Sequence, residues 1–85
     1  MVLLNIQLYL LIMINKELEM NKFYKLLIYF RREERIARSF LLRKPNITEE
    51  LIEEAINEDY IREIHNDNDE IQYVITVEGI RKRDD

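Results

Sequence analysis

The chain has 85 residues, which is enough for one small domain with a modest hydrophobic core. Its composition is 47% hydrophobic and 35% charged, which is typical of a globular chain and excludes a disordered one. There is no cysteine, so disulfides and thiolate metal sites are excluded. A single glycine and a single proline leave few obligatory turns, which favours a helix-rich fold.

The net charge of −4 conceals an uneven distribution of charge along the chain. Between Arg31 and Lys44 there are six basic and two acidic residues, a balance of +4. Between Pro45 and Glu70 there are ten acidic residues and one basic residue, a balance of −9. This split predicts that neighbouring elements of the fold carry opposite charges.

The chain opens with an apolar run from Val2 to Ile14, interrupted by Asn5 and Gln7. The run is shorter than the roughly 20 apolar residues of a membrane-spanning helix. It also lacks the preceding basic residue and following small residues of an export signal. We interpret residues 1–19 as an extension that covers the core or mediates dimerisation, and we expect a cytoplasmic homodimer without membrane contact. The run fits a strand and a helix equally well.

The middle of the chain predicts two helices. Apolar residues between Phe23 and Phe30 recur at the spacing of one helical face. A second helix is predicted to follow after a break near Arg31–Glu33. No glycine or proline separates the two, so one continuous helix over residues 21–43 is the alternative. The second helix is predicted to direct four apolar residues inward: Ile36, Ala37, Phe40 and Leu41.

A third helix is predicted from Glu49 to Asp59. The residues before it stop the preceding helix, because Lys44 stands directly before proline and so avoids helical angles. Thr48 suits the N-cap, where its hydroxyl can accept from a free backbone N–H. Ile47 and Ile52 stand at the positions of a hydrophobic staple, which supports a helix start between them.

The last third of the chain predicts a β-hairpin. Tyr60 and Ile61 begin a strand, and the four Asn and Asp residues at 66–69 are typical of a tight turn. After the turn, apolar residues alternate with more polar ones from Ile71 to Thr76, which indicates the second strand.

Two short segments resemble the winged helix-turn-helix family. Residues 56–61 read Ile-Asn-Glu-Asp-Tyr-Ile and are similar to the Leu-x-x-x-Gly-Leu-Ile end of that family's third helix. Residues 73–79 read Tyr-Val-Ile-Thr-Val-Glu-Gly and resemble its Tyr-x-x-Thr-x-x-Gly closure of the wing. The first segment departs from the family at Asp59, where glycine is usual, although Asp tolerates the left-handed conformation.

The resemblance covers roughly Asn21 to Arg83 and implies a winged helix domain over residues 20–85, in a small regulator of the archaeal and bacterial type. The implied fold is α+β and helix-rich, with a three-helix core and a C-terminal β-hairpin wing. Thr76 would cap a short closing helix, with Gly79 inside its first turn.

The resemblance implies that the chain is a DNA-binding transcriptional regulator. The third helix of such a domain lies in the major groove, yet here its outward positions are mostly glutamates, which phosphates repel. We therefore expect the second helix and the C-terminus to contact the phosphates, with the two asparagines as base readers. The candidate DNA-binding residues are Arg31, Arg32, Arg35, Arg38, Arg43, Lys44, Asn46, Asn57, Arg81, Lys82 and Arg83.

Two alternatives to DNA binding follow from the same charges. The arginines can instead pair with the acidic third helix as a solvated helix face. The third helix can also bind a protein partner, without any nucleic-acid binding. The candidate protein-interaction residues are Glu50, Glu53, Glu54 and Glu58.

An enzyme is not expected from this sequence. Ser39 has no nucleophile-elbow motif around it, and one glycine does not build a phosphate-binding loop. The only histidine, His65, lies beside Asp67 and Asp69 but lacks the spacing of a calcium loop, so we assign these residues to the turn. We expect no metal, no cofactor and no small-molecule substrate.

Overall fold

The computed structural model describes residues 22–84; residues 1–21 and residue 85 lie outside it. The predicted extension, residues 1–19, and its role in dimerisation therefore lie outside the described residues. The described part is an α+β fold with four helices and one three-stranded antiparallel sheet. Its elements are α1 (described over residues 22–27), β1 (Ile36–Ala37), α2 (Arg38–Leu42), α3 (Glu49–Asn57), β2 (Ile61–His65), β3 (Ile71–Ile75) and α4 (Val77–Asp84).

The sheet has the strand order β1-β3-β2, with every neighbouring pair antiparallel. β2 and β3 form the predicted hairpin, in register from Ile61 opposite Ile75 to His65 opposite Ile71. Because successive side chains point to opposite faces of a strand, one face of the sheet contributes to the core. We call the opposite face the outer face; it carries Arg62, Ile64, Gln72 and Val74.

The hydrophobic core lies between the helices and the inner face of the sheet. Leu26 and Leu27 of α1 are buried, as predicted for the apolar face of the first helix, and Phe30 is buried in the turn after the described helix. Tyr73 of β3 is also buried, and its burial raises the pKa of the phenol. The remaining buried core residues are Ile36, Leu41, Ile47, Leu51, Ile52, Ala55, Ile61 and Ile75.

The predicted extent of the second helix is mostly wrong. The chain does break where predicted, since Glu33 adopts a left-handed backbone with φ 65°, so one continuous helix over residues 21–43 is excluded. However, only five residues, Arg38–Leu42, form the helix that follows. Ile36 and Ala37 instead pair with β3 as a short strand. Tertiary strand pairing has overridden a weak local helix preference.

The inward face predicted for the second helix is correct in part. Ile36 and Leu41 are buried, whereas Phe40 is 44% exposed and packs edge-on against Tyr29 at 6.3 Å between ring centroids. The helix is too short to bury a second turn, so Phe40 lies at its rim.

α3 begins as predicted. The Thr48 hydroxyl accepts from the Leu51 backbone N–H at 3.1 Å, and Ile47 and Ile52 are both buried beside it. The helix ends at Asn57, two residues earlier than predicted. Asp59 then takes the left-handed conformation, with φ 61°, that the resemblance implied for this position.

The start of α4 is joined to the end of α3 by a close backbone corner. The Thr76 hydroxyl lies 2.5 Å from the Asp59 carbonyl oxygen and 3.1 Å from that of Tyr60, and it accepts from the Gly79 N–H at 3.0 Å. Thr76 is therefore the N-cap that the sequence predicted. A Cβ on Gly79 would lie 2.0 Å from the Tyr60 carbonyl oxygen, so only glycine allows this approach.

Candidate interaction surfaces

The acidic surface of the molecule is the solvent side of α3. This helix buries Leu51, Ile52 and Ala55 against the core, and Thr48 caps its first turn. Because helical residues three and four apart share a face, the carboxylates collect on the other side. We call this set the acidic face: Glu50, Glu53, Glu54 and Glu58.

Two basic side chains reach α3 from neighbouring elements. Arg38 of α2 donates to the Glu49 carboxylate at 2.6 Å, and this hydrogen bond raises the pKa of the guanidinium. Lys22 of α1 forms an ion pair with Glu54. Within residues 22–84, Glu50, Glu53 and Glu58 form no ion pair, so much of the acidic face is not neutralised by the described fold.

The basic residues predicted for the second helix are divided among three places. Arg31, Arg32 and Arg35 lie in the loop before β1, and Arg38 alone lies on α2. Arg43 is the C-cap of that helix. The predicted arginine surface along a helix is therefore absent from the described residues, because the helix that would carry it has only five residues.

The alternative pairing of the arginines with the third helix is realised by Arg38 only, within the described part of the chain. Arg31 instead contacts Glu34 of its own loop, at 4.0 Å. The Lys44 ammonium lies 4.4 Å from the centre of the Phe40 ring, a cation–π contact.

The C-terminal basic residues are mainly engaged within the fold. Arg83 donates from Nη1 to the Phe30 carbonyl oxygen at 2.6 Å, which ties α4 to the end of the first helical segment. Its Nε donates to Asp84 at 2.9 Å, and this bond lowers the pKa of that carboxyl. Arg81 pairs with Glu78 at 3.2 Å, whereas the Lys82 ammonium lies 6.0 Å from the Tyr60 ring centre.

The two predicted base readers lie at opposite ends of α3. Asn46 precedes the helix in a turn, with φ 67°, and Asn57 is its last residue; both are exposed. Within residues 22–84, no side-chain hydrogen bond links either asparagine to one of the predicted arginines.

A groove on the outer face of the sheet collects arginines that the sequence left apart. We call it the arginine groove; Arg32 and Arg35 line it from the loop, and Arg62 lines it from β2. Its volume is about 560 Å³, and its apolar lining is contributed mainly by Ile64, Val74, Val77 and Ile80. Arg62 was missed by the sequence reasoning. The signal that could have found it is strand alternation, which places positions 62 and 64 on one face.

The tip of the hairpin is a second acidic cluster. Asn66 Oδ1 accepts from the backbone N–H groups of Asn68 and Glu70, each at 2.9 Å, which confirms the predicted turn chemistry. His65 contacts the carboxylates of Asp69 at 2.9 Å and Glu63 at 3.3 Å, and these contacts raise the pKa of its imidazole. Across residues 22–84, no three histidine or acidic side chains converge as a metal site.

Comparison of the chain with protein-family models, with curated proteins and with solved structures gave no match. None of the helices within residues 22–84 combines the length and the apolar content that crossing a bilayer requires.

Proposed function

We propose that the chain is a winged-helix module that binds a basic surface of a protein partner through its acidic face. Three features support the winged-helix part of the proposal. Helices α1 to α3 precede the hairpin, β3 returns to pair with β1, and Thr76 caps a short closing helix against Tyr60. The closing segment is the one whose sequence resembles that family.

One observation carries the choice of a protein partner. In a helix-turn-helix domain the second helix of the motif enters the major groove between two rows of phosphates, and here that helix is α3. Its exposed positions include Glu50, Glu53 and Glu58, for which residues 22–84 supply no ion pair. A basic protein surface would complement these charges, whereas DNA would meet like charge.

Charge reversal on the acidic face tests this proposal. We expect Glu53→Lys combined with Glu58→Lys to abolish capture of the partner from an extract by the immobilised full chain. Both positions lie outside the first turn, so the reversal does not oppose the helix dipole there. The matched control is Asp67→Lys with Glu70→Lys, which changes the net charge equally at the hairpin tip and should leave capture unchanged.

Identification of captured proteins by mass spectrometry supplies the readout. Proteins that bind the parent chain and the control but not the acidic-face variant are the expected result. Equal capture by all three chains would contradict the proposal, because binding would not depend on the acidic face. Unchanged circular dichroism of each variant is required for the comparison.

The second candidate function is that of a DNA-binding regulator. It is favoured by the exposed guanidiniums of Arg32, Arg35 and Arg43, which form no ion pair within residues 22–84. Titration of a fluorescent random duplex at increasing salt distinguishes the two candidates. Micromolar binding that weakens steeply with salt, and that is lost on Arg32→Glu with Arg35→Glu, would favour DNA over protein. The proposal of a protein partner predicts no such binding.

A further inference from the structure

The arginine groove differs from the acidic face and from the hairpin tip because it combines positive charge with apolar side chains. Three guanidiniums, those of Arg32, Arg35 and Arg62, line it together with one carboxylate, that of Glu33. Val77, at the start of α4, lies in the same groove and is 64% exposed. A valine this exposed beside three arginines makes a surface that is neither purely ionic nor purely apolar.

The register of the sheet places Arg35 and Arg62 on either side of Val74. Arg62 is the partner of Val74 across β2 and β3, and Arg35 directly precedes the residue that pairs with Tyr73. Continuing that register places Arg35 on the opposite side of Val74 from Arg62. Since neighbouring strands are about 4.8 Å apart, the two arginine positions are about 10 Å apart across the sheet. Val74 therefore lies between the two arginine positions.

We propose that the arginine groove docks an acidic polypeptide segment of a partner protein, in which carboxylates flank apolar side chains. The carboxylates pair with Arg35 and Arg62, since bidentate contact with a carboxylate suits a guanidinium. The apolar side chains cover Val74 and Val77. This site is separate from the acidic face and does not rest on the function proposed for it.

Charge complementarity selects the occupant. The three arginines form no ion pair within residues 22–84, so an incoming acidic chain would supply their counter-charges. A duplex would offer phosphates to the arginines but would leave the apolar lining, including Ile64 and Ile80, without apolar contact. A polypeptide segment can satisfy both kinds of group.

Fluorescence anisotropy with the full chain tests the proposal. The probe is a short labelled peptide in which glutamate alternates with valine, and the comparison peptide replaces each glutamate with lysine. We expect the acidic probe to bind and the basic one not to bind. Arg35→Glu with Arg62→Glu should lower the affinity for the acidic probe by about tenfold or more, because both interfacial charge pairs become repulsive.

Two further variants separate the groove from general charge effects. Lys25→Glu with Arg43→Glu changes the net charge equally at exposed residues outside the groove and should change affinity by less than about twofold. Val77→Ser removes apolar surface at an exposed residue and should weaken binding about threefold without unfolding the domain.

Three outcomes would overturn the proposal. The first is failure of the parent chain to bind the acidic probe. The second is equal loss of affinity in the groove variant and in its charge-matched control, which would show that only net charge matters. The third is a fluorescent duplex that displaces the probe and binds more tightly, with the same dependence on Arg35 and Arg62, which would make nucleic acid the occupant.

Discussion

The acidic face and the arginine groove offer a comparison between two ways in which one small fold carries opposite charges. The acidic face is built on one regular element, α3, whose cap sets its start and whose buried stripe leaves the carboxylates on the opposite side. The groove is assembled from a loop, two strands and the first turn of α4, and the loop is distant from the others in sequence. A helical surface can be read from spacing alone, whereas a groove of this kind depends on strand register.

The two surfaces also differ in how their charge is offset. On α3, Arg38 and Lys22 contact Glu49 and Glu54, and the helix dipole favours carboxylates in the first turn. In the groove, Glu33 is the one carboxylate among the lining residues. Local interactions therefore compensate part of the negative charge on α3, while the three guanidiniums of the groove form no ion pair within residues 22–84.

Gly79→Ala should produce the largest effect on this arrangement, because Gly79 lies in the corner that links the acidic helix to α4. The added Cβ would lie 2.0 Å from the Tyr60 carbonyl oxygen, so the backbone must move. Overpacking of this kind costs about 3 kcal/mol of the free energy of unfolding. Urea denaturation followed by circular dichroism measures the loss.

Glu78→Ala is the neighbouring control for Gly79→Ala. The side chain of Glu78 is exposed and pairs only with Arg81 among the described residues, so its removal should change stability little. Similar denaturation midpoints for the parent chain and Gly79→Ala would show that Gly79 does not approach Tyr60 so closely.

Removing either threonine cap should have an intermediate effect on the free energy of unfolding. Thr48→Val removes one hydrogen bond, that from the Leu51 N–H, and should cost about 1 kcal/mol of the free energy of unfolding. Thr76→Val removes the bond from Gly79 and also the hydroxyl donor to the Asp59–Tyr60 backbone, and should cost about 2 kcal/mol. Paired urea denaturation curves give the order; a larger loss for Thr48→Val would contradict the role given to the corner.

The smallest expected effect is the pH dependence contributed by His65. Its contacts with Asp69 and Glu63 raise its pKa above the ordinary value of 6.5. The associated stability is fully present below about pH 6.5 and is lost as the pH rises through the raised pKa of the folded state. The difference in urea midpoint between the parent chain and His65→Gln should become smaller as the pH rises through that range. An NMR titration of the imidazole checks the sign, and a pKa below 6.5 would contradict it.

Sequence reasoning succeeded where a local interaction determines the structure. The cap at Thr48, the turn around Asn66, the left-handed Asp59 and the cap at Thr76 all depend on residues within a few positions, or on a recognisable short pattern. The α+β class, with its helices and C-terminal hairpin, follows from these features.

Sequence reasoning failed over the extent of the second helix, because Ile36 and Ala37 form a strand for a tertiary reason. No glycine or proline marks the break, and Ile36 has the spacing of a helical core position. Its pairing opposite Tyr73 is decided by a strand that lies more than thirty residues later in the chain. The same long-range pairing brings Arg35 and Arg62 to one groove, so the groove was not predictable from the sequence.

The hydrogen bond from Arg83 to the Phe30 carbonyl has a consequence for folding cooperativity. It spans 53 residues and joins α4 to the turn that follows α1. A contact that closes so long a segment forms only when most of the intervening chain is already ordered. Fraying of α4 would also release the turn after α1, so the amides of that turn and of α4 should exchange with solvent as a single unit rather than independently.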